Sequence, residues 1–429
     1  MTLRWGLVAA VAVAAACAGD APGTTIHFWA LGREAEVVGV LLRDFETAHP
    51  DIHVAVEQLP FTTAHEKILT AFVGDATPDL AQLGNTWVPE LALLGALAPL
   101  GPMAAASRDV RQDDYFAGIW DANVIDGQLY GVPWYVDTRL LFYRRDLLTA
   151  AGFAGPPASW SEWQRAMAAI KAEVGPDRYA LLLPINTYDE LVALGLQGDA
   201  PLLRDGDRWG NFRSGGFRRA FTFYLQAFRA GFAPVATSGQ MSNPWEEFGR
   251  GYFTFFISGP WSIGELTRRL PAELQDRWAT APLPGPDGPG ASTAGGSSLV
   301  IFRAARDKEA AWRVVEYLAR PEVQRRFYDL IGDLPPRRSS WADRRLERDE
   351  HLRAFREQLE RARSAPPVPE WERIVTEMRI VSERAVYRAQ GAPEEALPAI
   401  IDAALADLDA RVDRILEKRR WVLARRGPK

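Results

Sequence analysis

Residues 25–83 decide the fold, and they read TIHFWALGREAEVVGVLLRDFETAHPDIHVAVEQLPFTTAHEKILTAFVGDATPDLAQL. Apolar residues recur at helical spacing within Glu34–Ala48, which predicts a helix there. The rest of the pattern predicts, in order, a strand over Thr25–Trp29, a strand over Ile52–Gln58, a helix over Ala64–Val73 and a strand over Asp79–Leu83. Strands that alternate with helices in this way indicate an α/β fold with a parallel sheet.

The carboxyl ends of these predicted strands carry aromatic and polar side chains. In parallel α/β sheets the ligand lies beyond those ends. Here they are Trp29–Leu31, Glu57–Gln58 and Gly84–Trp87, and two of the three contain a tryptophan. We therefore expect a ligand site along this edge of the sheet.

A second group of elements follows a predicted crossover. Asp126-Gly127 predicts a hairpin turn, and the extended run over residues 131–143 is a candidate connection between two lobes. The elements predicted after it are a helix over Ser161–Val174 capped by Ser159 or Ser161, a strand over Tyr179–Leu183, a helix over Phe217–Ala230 and a strand over Tyr252–Ile257. These elements indicate a second α/β lobe, and a strand over Ser297–Phe302 is predicted to return to the first.

The lobe limits and the C-terminal region follow from this order. We predict that residues 25–136 and 282–340 form the first lobe and that residues 137–281 and 341–429 form the second. The tail is predicted to be helical from Arg344 onward. Its last segment has an apolar stripe formed by Leu397, Ile401, Leu405, Leu408, Val412 and Ile415. A helix packed on its own lobe is expected, with a coiled-coil seam as the alternative.

The N-terminal residues resemble a secretion signal that ends at a cysteine. Arg4 precedes an uncharged run over Trp5–Ala16, which is too short to span a bilayer, and Cys17 follows small residues. We predict a lipoprotein signal peptide over 1–16, lipidation of Cys17 and a linker over 17–24. The alternative is an ordinary signal with Cys17 incidental. Cys17 is the single cysteine in the chain, so no intrachain disulfide is expected.

Composition and motifs argue against several classes of function. The 50 Lys and Arg residues are spread among 55 Asp and Glu residues, so no basic footprint for nucleic acid is expected. His65-Glu66 begins like a zinc-protease helix, but Leu69 stands where the second ligand belongs, and we predict no metal site. No serine-hydrolase turn or phosphate-binding glycine loop is present in the sequence. No catalytic residue and no cofactor are therefore predicted.

Aromatic residues offer a more informative pattern, since the chain has 15 tryptophans. A sugar ring presents an apolar face of C–H bonds and an edge of hydroxyls, so a sugar site combines aromatic planes with carboxylates, amides and arginines. Candidates in predicted loops are Trp29, Asn85, Trp87, the segment 134–137, Trp261 and Trp371. Each alone is more often a core residue, but the set together favours binding.

Several segments, in this order along the chain, carry a resemblance to a known family. They are TIHFW at 25–29, TPDLAQL at 77–83, GVPW at 131–134, FYRRDLL at 142–148, ASWSEW at 158–163, FISGPW at 256–261, GGSS at 295–298 and GDLPPR at 332–337. The chain resembles the extracellular solute-binding protein family 1 of bacterial ABC importers, the sugar-binding class that includes maltose- and trehalose-type receptors. The resemblance covers nearly the whole mature chain.

The resemblance implies a two-lobed, type II-like periplasmic-binding-protein fold that closes on a carbohydrate, a di- or short oligosaccharide, by a hinge motion. It also implies delivery to the permease of an ABC transporter, extracytoplasmic location with a membrane anchor, and a monomer. The residues it implicates in ligand binding are Asn85, Trp87, Asp137, Trp261, Gly295, Gly296 and Arg337. Further candidates are Trp29, Glu57, Tyr135, Tyr188 and Trp371. Asn85 stands where many members have Asp, which leaves the sugar's identity open.

Two alternatives remain at this point. An exported glycoside hydrolase would need two carboxyl groups flanking one bond, and the sequence offers only Glu57 and Asp137 as a pair. A receptor of the same fold could instead take a polyamine, oligopeptide or polyol, or could signal to a sensor. A polyamine would need several carboxylates in the cleft, and the predicted cleft residues contain few.

Overall fold

The structure is a computed structural model that describes residues 23–241 and 243–426 of the 429-residue chain. The predicted signal peptide and Cys17 lie outside the described residues. The strands are β1 (Thr24–Leu31), β2 (Ile52–Leu59), β3 (Leu80–Gly84), β4 (Val124–Ile125), β5 (Gln128–Leu129), β6 (Val132–Asp137), β7 (Leu140–Arg144), β8 (Tyr179–Leu182), β9 (Leu203–Arg204), β10 (Trp209–Gly210), β11 (Phe253–Ser258), β12 (Trp278–Ala281), β13 (Ser292–Thr293), β14 (Gly295–Ile301) and β15 (Ala362–Arg363).

The α-helices lie between and after these strands. They are α1 (Gly32–Ala48), α2 (Phe61–Val73), α3 (Val88–Leu94), α4 (Gly101–Ala106), α5 (Ala117–Asp121), α6 (Arg145–Ala150), α7 (Trp160–Val174), α8 (Asp189–Gly195), α9 (Gly215–Arg229), α10 (Pro244–Gly249), α11 (Trp261–Arg269), α12 (Lys308–Leu318), α13 (Pro321–Ile331), α14 (Arg344–Arg348), α15 (Glu350–Leu359), α16 (Trp371–Ala389) and α17 (Leu397–Arg426). The alternation that the sequence predicts over residues 25–83 is confirmed.

The first sheet has the strand order β2-β1-β3-β14-β6. β1 lies parallel to both β2 and β3, which confirms the predicted parallel arrangement of these strands. β14 runs antiparallel to β3 and to β6, and it contains most of the segment predicted to return to the first lobe. The buried stripe of α1 and the inner face of α12 pack in the same apolar cluster as these strands. This sheet and its helices form the first lobe.

The second sheet has the strand order β12-β7-β11-β8 and lies in the second lobe. β8 and β11 are parallel, whereas β7 is antiparallel to β11 and β12. Helices α7, α9, α16 and α17 bury their apolar faces in one cluster against this sheet. The six stripe residues of α17 belong to that cluster, which confirms the prediction that the last helix packs on its own lobe.

Two local predictions can be compared with the structure. Ser159 caps α7: its Oγ accepts a hydrogen bond from the Glu162 N–H, and the Glu162 carboxylate accepts one from the Ser159 N–H. The start of α2 differs from the prediction, because Pro60 takes the N-cap position and the helix begins at Phe61, three residues before Ala64. This earlier start places Phe61 at the ligand-facing end of the helix.

The lobes meet where the chain crosses between the sheets. The extended run predicted over 131–143 is divided into β6 and β7, with Thr138 and Arg139 between them. A further connection is the parallel pair β13 and β15. Val136 from the first sheet and Leu140 from the second share one apolar cluster, so the crossover is packed and the open space lies beyond the strand ends.

Candidate functional site

A cavity of about 360 Å³ lies between the lobes, at the carboxyl end of β3. This volume is within the range of small-molecule sites. The residues that line it are Phe61, Gly84, Asn85, Thr86, Trp87, Pro89, Ala122, Asp137, Arg139, Tyr188, Asp189, Val192, Thr293, Ala294, Gly295, Gly296, Ala365, Pro366, Pro367, Trp371 and Glu372. Both lobes contribute, so the shape of the cavity depends on how the lobes are placed.

Asn85, on the loop after β3, is tied into the wall of the cavity. Its Nδ2 donates to the Gly295 carbonyl at 3.2 Å, and its Oδ1 accepts from the Ser298 hydroxyl at 2.9 Å. Its backbone N–H donates to the Gly296 carbonyl at 3.1 Å. Asn85 therefore fixes the β3 loop against β14, which positions the two glycines that the sequence predicts as site residues.

Gly295 and Gly296 are required by the close approach of β14 to β6. A Cβ atom at Gly295 would stand 2.1 Å from the Asp137 Oδ1, and one at Gly296 would stand 2.4 Å from the Tyr135 carbonyl oxygen. Gly296 also has a φ of +112°, in the region that favours glycine. These glycines let the backbone form the cavity wall without a side chain covering Asp137.

An aromatic cluster forms the first-lobe side of the cavity. The Trp87 ring is buried, and its centroid lies 5.4 Å from the Phe61 ring and 5.1 Å from the His65 ring. His65 is held by the Glu90 carboxylate at 2.8 Å. Phe61 is 54% exposed, which is unusual for phenylalanine, and it lines the cavity. The exposed phenyl ring gives the cavity an apolar rim.

Three charged side chains in the lining, those of Asp137, Arg139 and Asp189, form ion pairs with one another. Arg139 lies 3.3 Å from the Asp137 carboxylate and 3.2 Å from the Asp189 carboxylate, so it bridges the crossover and α8. Burial raises the pKa of Asp137 despite the adjacent guanidinium. For Arg139, burial alone would lower the pKa, but the carboxylates of Asp137 and Asp189 outweigh it, and the pKa is raised. The Arg139 guanidinium also lies 4.8 Å from the centre of the Trp261 ring.

The second lobe closes the opposite side with Tyr188, Asp189, Trp371 and Glu372. The Thr86 hydroxyl of the first lobe donates to the Glu372 Oε1 at 2.8 Å across the cavity. The lining thus contains three carboxylates, those of Asp137, Asp189 and Glu372. The sequence-based expectation that the cleft has few carboxylates is wrong, because two of these groups come from positions distant in sequence.

The structure brings seven of the twelve predicted ligand residues to this cavity. They are Asn85, Trp87, Asp137, Tyr188, Gly295, Gly296 and Trp371. Trp261 does not line the cavity itself, but its ring lies against Arg139, which does, and is 46% exposed. The predicted set therefore supplies seven of the 21 lining residues, together with one adjoining aromatic ring.

Arg337 is not at the rim of the cavity, so its predicted role requires correction. Its side chain is buried, and its Nε donates to the Asp114 carboxylate at 2.7 Å. Its Nη1 donates to the carbonyls of Asp109 and Ala319 at 2.6 and 2.8 Å. With these partners the guanidinium joins loops of the first lobe and is not available to a ligand.

Trp29, Glu57 and Tyr135 also lie outside the cavity. The Lys67 ammonium donates to the Glu57 Oε1 at 2.6 Å and stands 4.8 Å from the Trp29 ring centre. The Tyr135 ring is buried, and its hydroxyl donates to the Glu34 Oε1 at 2.8 Å. Since Glu57 does not face the cavity, Glu57 and Asp137 do not form the carboxylate pair considered for a hydrolase.

Among the lining residues that sequence reasoning missed are Phe61, Thr86, Arg139, Asp189 and Glu372. Four of them lie within two positions of a predicted residue. Including the sequence neighbours of each predicted residue would therefore have found these four. Phe61 was missed because the start of α2 was placed too late. In the described ranges 23–241 and 243–426, no cluster of three or more His, Cys, Asp or Glu residues could hold a metal ion. No helix of those ranges is long and apolar enough to cross a membrane.

Comparisons with known proteins identify the family to which the chain belongs. The structure of the sugar-binding protein MalE from Xanthomonas citri is 53% identical, covers 94% of this chain and 99% of that chain, and superposes with a TM-score of 0.89. A binding protein of Brucella abortus is 26% identical over 87% of this chain and 88% of its own length. The diacetylchitobiose binding protein DasA of Streptomyces coelicolor is 25% identical over 71% and 76% of the respective chains. The model of the family of bacterial extracellular solute-binding proteins matches residues 28–325. The chain belongs to this family.

Proposed function

We propose that this protein is the substrate-binding subunit of an ABC importer and captures a carbohydrate in the cavity between its lobes. The observation that carries the proposal is the lining of that cavity, which sets aromatic rings from both lobes beside three carboxylates. The 53% identity to a sugar-binding protein supports the same class of ligand. A di- or short oligosaccharide is the proposed substrate.

The chemistry of the lining fits a sugar. Trp87, Phe61, Tyr188 and Trp371 offer planes for the C–H faces of sugar rings, each contact contributing about 0.5–1.5 kcal/mol beyond area burial. The Asp137 and Glu372 carboxylates accept hydrogen bonds from hydroxyls, at about 1.5–3 kcal/mol for each charge-assisted bond. These contacts together support micromolar or tighter binding.

Capture is proposed to involve closure of the lobes, because the binding groups are divided between them. Asn85 and Trp87 belong to the first lobe, and Tyr188 and Trp371 belong to the second. A ligand held by both sets stabilises the arrangement in which the lobes are close. The hydrogen bond from Thr86 to Glu372 shows that the two walls lie within direct contact distance here.

The remaining parts of the function are proposals of the same kind. We propose anchoring of the extracytoplasmic protein through a lipidated Cys17, delivery to a membrane permease by a monomer, and the lobe limits predicted from the sequence. We propose that the protein performs no catalysis, which is supported by its family and by the separation of Glu57 from the cavity.

A cationic solute such as a polyamine is the second candidate. The observation that favours it is the excess of carboxylates in the lining, since Arg139 is the single cationic side chain there against Asp137, Asp189 and Glu372. Arg139 pairs with two of these carboxylates, which leaves Glu372 as the one without a cationic partner in the cavity. A neutral sugar therefore fits the cavity better than a polyamine does. Because Glu372 has no cationic partner in the cavity, polyamines are still included in the screen.

The test is a thermal-shift screen of residues 18–429 against mono-, di- and oligosaccharides, polyols and polyamines. A ligand at 100 times its dissociation constant adds about 2.7 kcal/mol to the stability of the folded state, so the melting temperature rises by several degrees. We expect a disaccharide or oligosaccharide to raise it and Trp261→Ala to reduce that rise. A rise with polyamines and none with any sugar would overturn the assignment of carbohydrate.

Trp421→Ala is the matched control for Trp261→Ala. Trp421 is 55% exposed on α17, comparable with Trp261 at 46%, and it does not line the cavity. We expect Trp421→Ala to keep the full ligand-induced rise. Equal losses in the two variants would mean that the loss for Trp261→Ala reflects general destabilisation.

A further inference from the structure

Two side chains of α2 lie against the Trp87 ring, and only one of them lines the cavity. The ring centroids of Phe61 and His65 stand 5.4 and 5.1 Å from that of Trp87, within the range of aromatic contacts. Phe61 and His65 are four residues apart on α2, so they lie on the same face of that helix. Phe61 lines the cavity together with Trp87, whereas His65 does not. His65 therefore contacts the Trp87 ring from outside the space available to a ligand.

The His65 ring is itself joined to a second helix. A hydrogen bond of 2.8 Å connects the His65 Nε2 to the Glu90 Oε2. Glu90 belongs to the first turn of α3, three residues after Trp87, and it does not line the cavity either. Both side chains are 25% exposed, so solvent screens the pair less than it screens a fully exposed one. The hydrogen bond links α2 to the helix that begins directly after Trp87.

Helix α3 needs such contacts because little within it fixes its first turn. It has seven residues, and its N-cap residue, Trp87, makes no side-chain hydrogen bond to the first turn. Helices this short are marginal by themselves in water, so contacts with the rest of the protein determine their position. Val88 and Leu91 provide apolar contacts on the buried side. Glu90 is the one polar residue in the α3 sequence VPELALL, so only its side chain can add a polar tie.

We propose that His65 and Glu90 form a positioning pair that holds the Trp87 indole in the orientation that receives a sugar ring. This inference rests on the proposed function, and it gives a role in affinity to two residues that do not touch the sugar. Contact between an aromatic plane and the C–H face of a sugar depends on the angle of the plane. Losing the pair leaves the indole present but less well oriented, so His65→Ala should weaken binding by about three- to tenfold.

The test begins with calorimetric titration of residues 18–429 with maltose, trehalose, cellobiose and lactose, and continues with the disaccharide that binds most tightly. Glu90→Ala removes the hydrogen bond and should weaken binding in the same direction as His65→Ala. Glu90→Gln can still form a hydrogen bond with His65, so it should keep most of the wild-type affinity. His53→Ala is the matched control, because His53 forms an equivalent bond of 2.8 Å with Glu46 outside the cavity. We expect it to leave the affinity unchanged.

A double-mutant cycle with Trp87→Leu separates positioning from general stability. Leucine removes the indole plane and keeps apolar bulk at this buried position. If His65 acts through Trp87, His65→Ala should change the affinity of the Trp87→Leu protein by less than about twofold. The same loss in both backgrounds would overturn the inference, because His65 would then act independently of the indole. Melting temperatures without ligand show whether each variant is folded before titration.

The outcomes distinguish this inference from the proposed function. If wild type binds a disaccharide and His65→Ala binds it equally well, only the positioning pair is wrong. If Trp87→Leu does not fold, the two Glu90 variants decide: wild-type affinity in Glu90→Ala, or equal losses in Glu90→Ala and Glu90→Gln, would overturn the pair. If no carbohydrate of this set or of the screen above binds, the proposed function fails and this inference fails with it.

Discussion

Replacing Asp137 by asparagine is expected to weaken carbohydrate binding by about 10–100-fold, which corresponds to the loss of one charge-assisted hydrogen bond. Asp137 lies at the crossover, lines the cavity and is left uncovered by Gly295, which has no side chain. The asparagine amide keeps the size of the side chain but carries no charge. Calorimetric titration with the sugar that raises the melting temperature most would measure the change in the dissociation constant.

Asp146→Asn is the matched control for that substitution. Asp146 is likewise an aspartate that pairs with an arginine, Arg144, at 2.6 Å, but it does not line the cavity. We expect it to leave the dissociation constant unchanged. Arg139 retains the Asp189 carboxylate when Asp137 is neutral, so the Asp137→Asn protein should remain folded. If the folded Asp137→Asn protein binds the sugar with wild-type affinity, Asp137 does not contribute to binding.

Replacing Asp333 by asparagine is expected to stabilise the protein relative to wild type at pH 8 and above by about 1–3 kcal/mol, because the folded wild type there either holds a proton that the unfolded chain has lost or buries a carboxylate. The Asp333 Oδ2 is buried and has no hydrogen-bond partner in the described ranges. Burial first, and then the negative charges of Glu34 and Asp137, raise the pKa of Asp333 to about 8. The positive charge of nearby Arg33 lowers the pKa of Asp333, but by less than burial and the two carboxylates raise it.

The direction of the pH dependence follows from that shift. An aspartate in an unfolded chain has a pKa of about 3.9, so between pH 4 and pH 8 the folded state holds a proton that the unfolded state has lost. The contribution of Asp333 to stability is therefore complete below pH 4 and declines as the pH rises to 8. Asparagine does not ionise, and the variant should lack this decline.

Urea unfolding at pH 5, 7 and 9 would measure the free energy of unfolding of both proteins. The difference between Asp333→Asn and wild type should increase with pH. Asp329→Asn is the control, because the Asp329 carboxylate is partly exposed and pairs with Arg345 at the surface. Parallel pH profiles for wild type and Asp333→Asn would contradict a protonated Asp333 in the folded protein.

The fold was predictable where apolar periodicity and chain order determine it. The stripe of α1 and the run of β1 lie in one buried cluster, so the sequence pattern and the packing agree. The last helix was predictable for the same reason, because its apolar stripe has one face to bury. The start of α2 was not, since Pro60 and Phe61 fit both a loop and the first turn of a helix.

The site was predictable only in part, because local sequence does not reveal which side chains are already occupied. Arg337 follows two prolines in a segment that resembles family members, and only the structure shows Asp114 and two carbonyls around its guanidinium. In the same way, Asp189 and Glu372 meet Asp137 through folding, over separations that no motif records. Of the predicted aromatic residues, Trp87, Tyr188 and Trp371 line the cavity, whereas Trp29, which lies near the end of β1, does not.

The most direct measurement is a crystal structure of residues 18–429 with the carbohydrate that gives the largest thermal shift. We expect a sugar ring in the cavity between the lobes, against the rings of Trp87 and Trp371. At least one hydroxyl should lie within hydrogen-bond distance of the Asp137 or Glu372 carboxylate. A carbohydrate bound on an outer face of either lobe, with the cavity free of sugar, would contradict carbohydrate capture between the lobes.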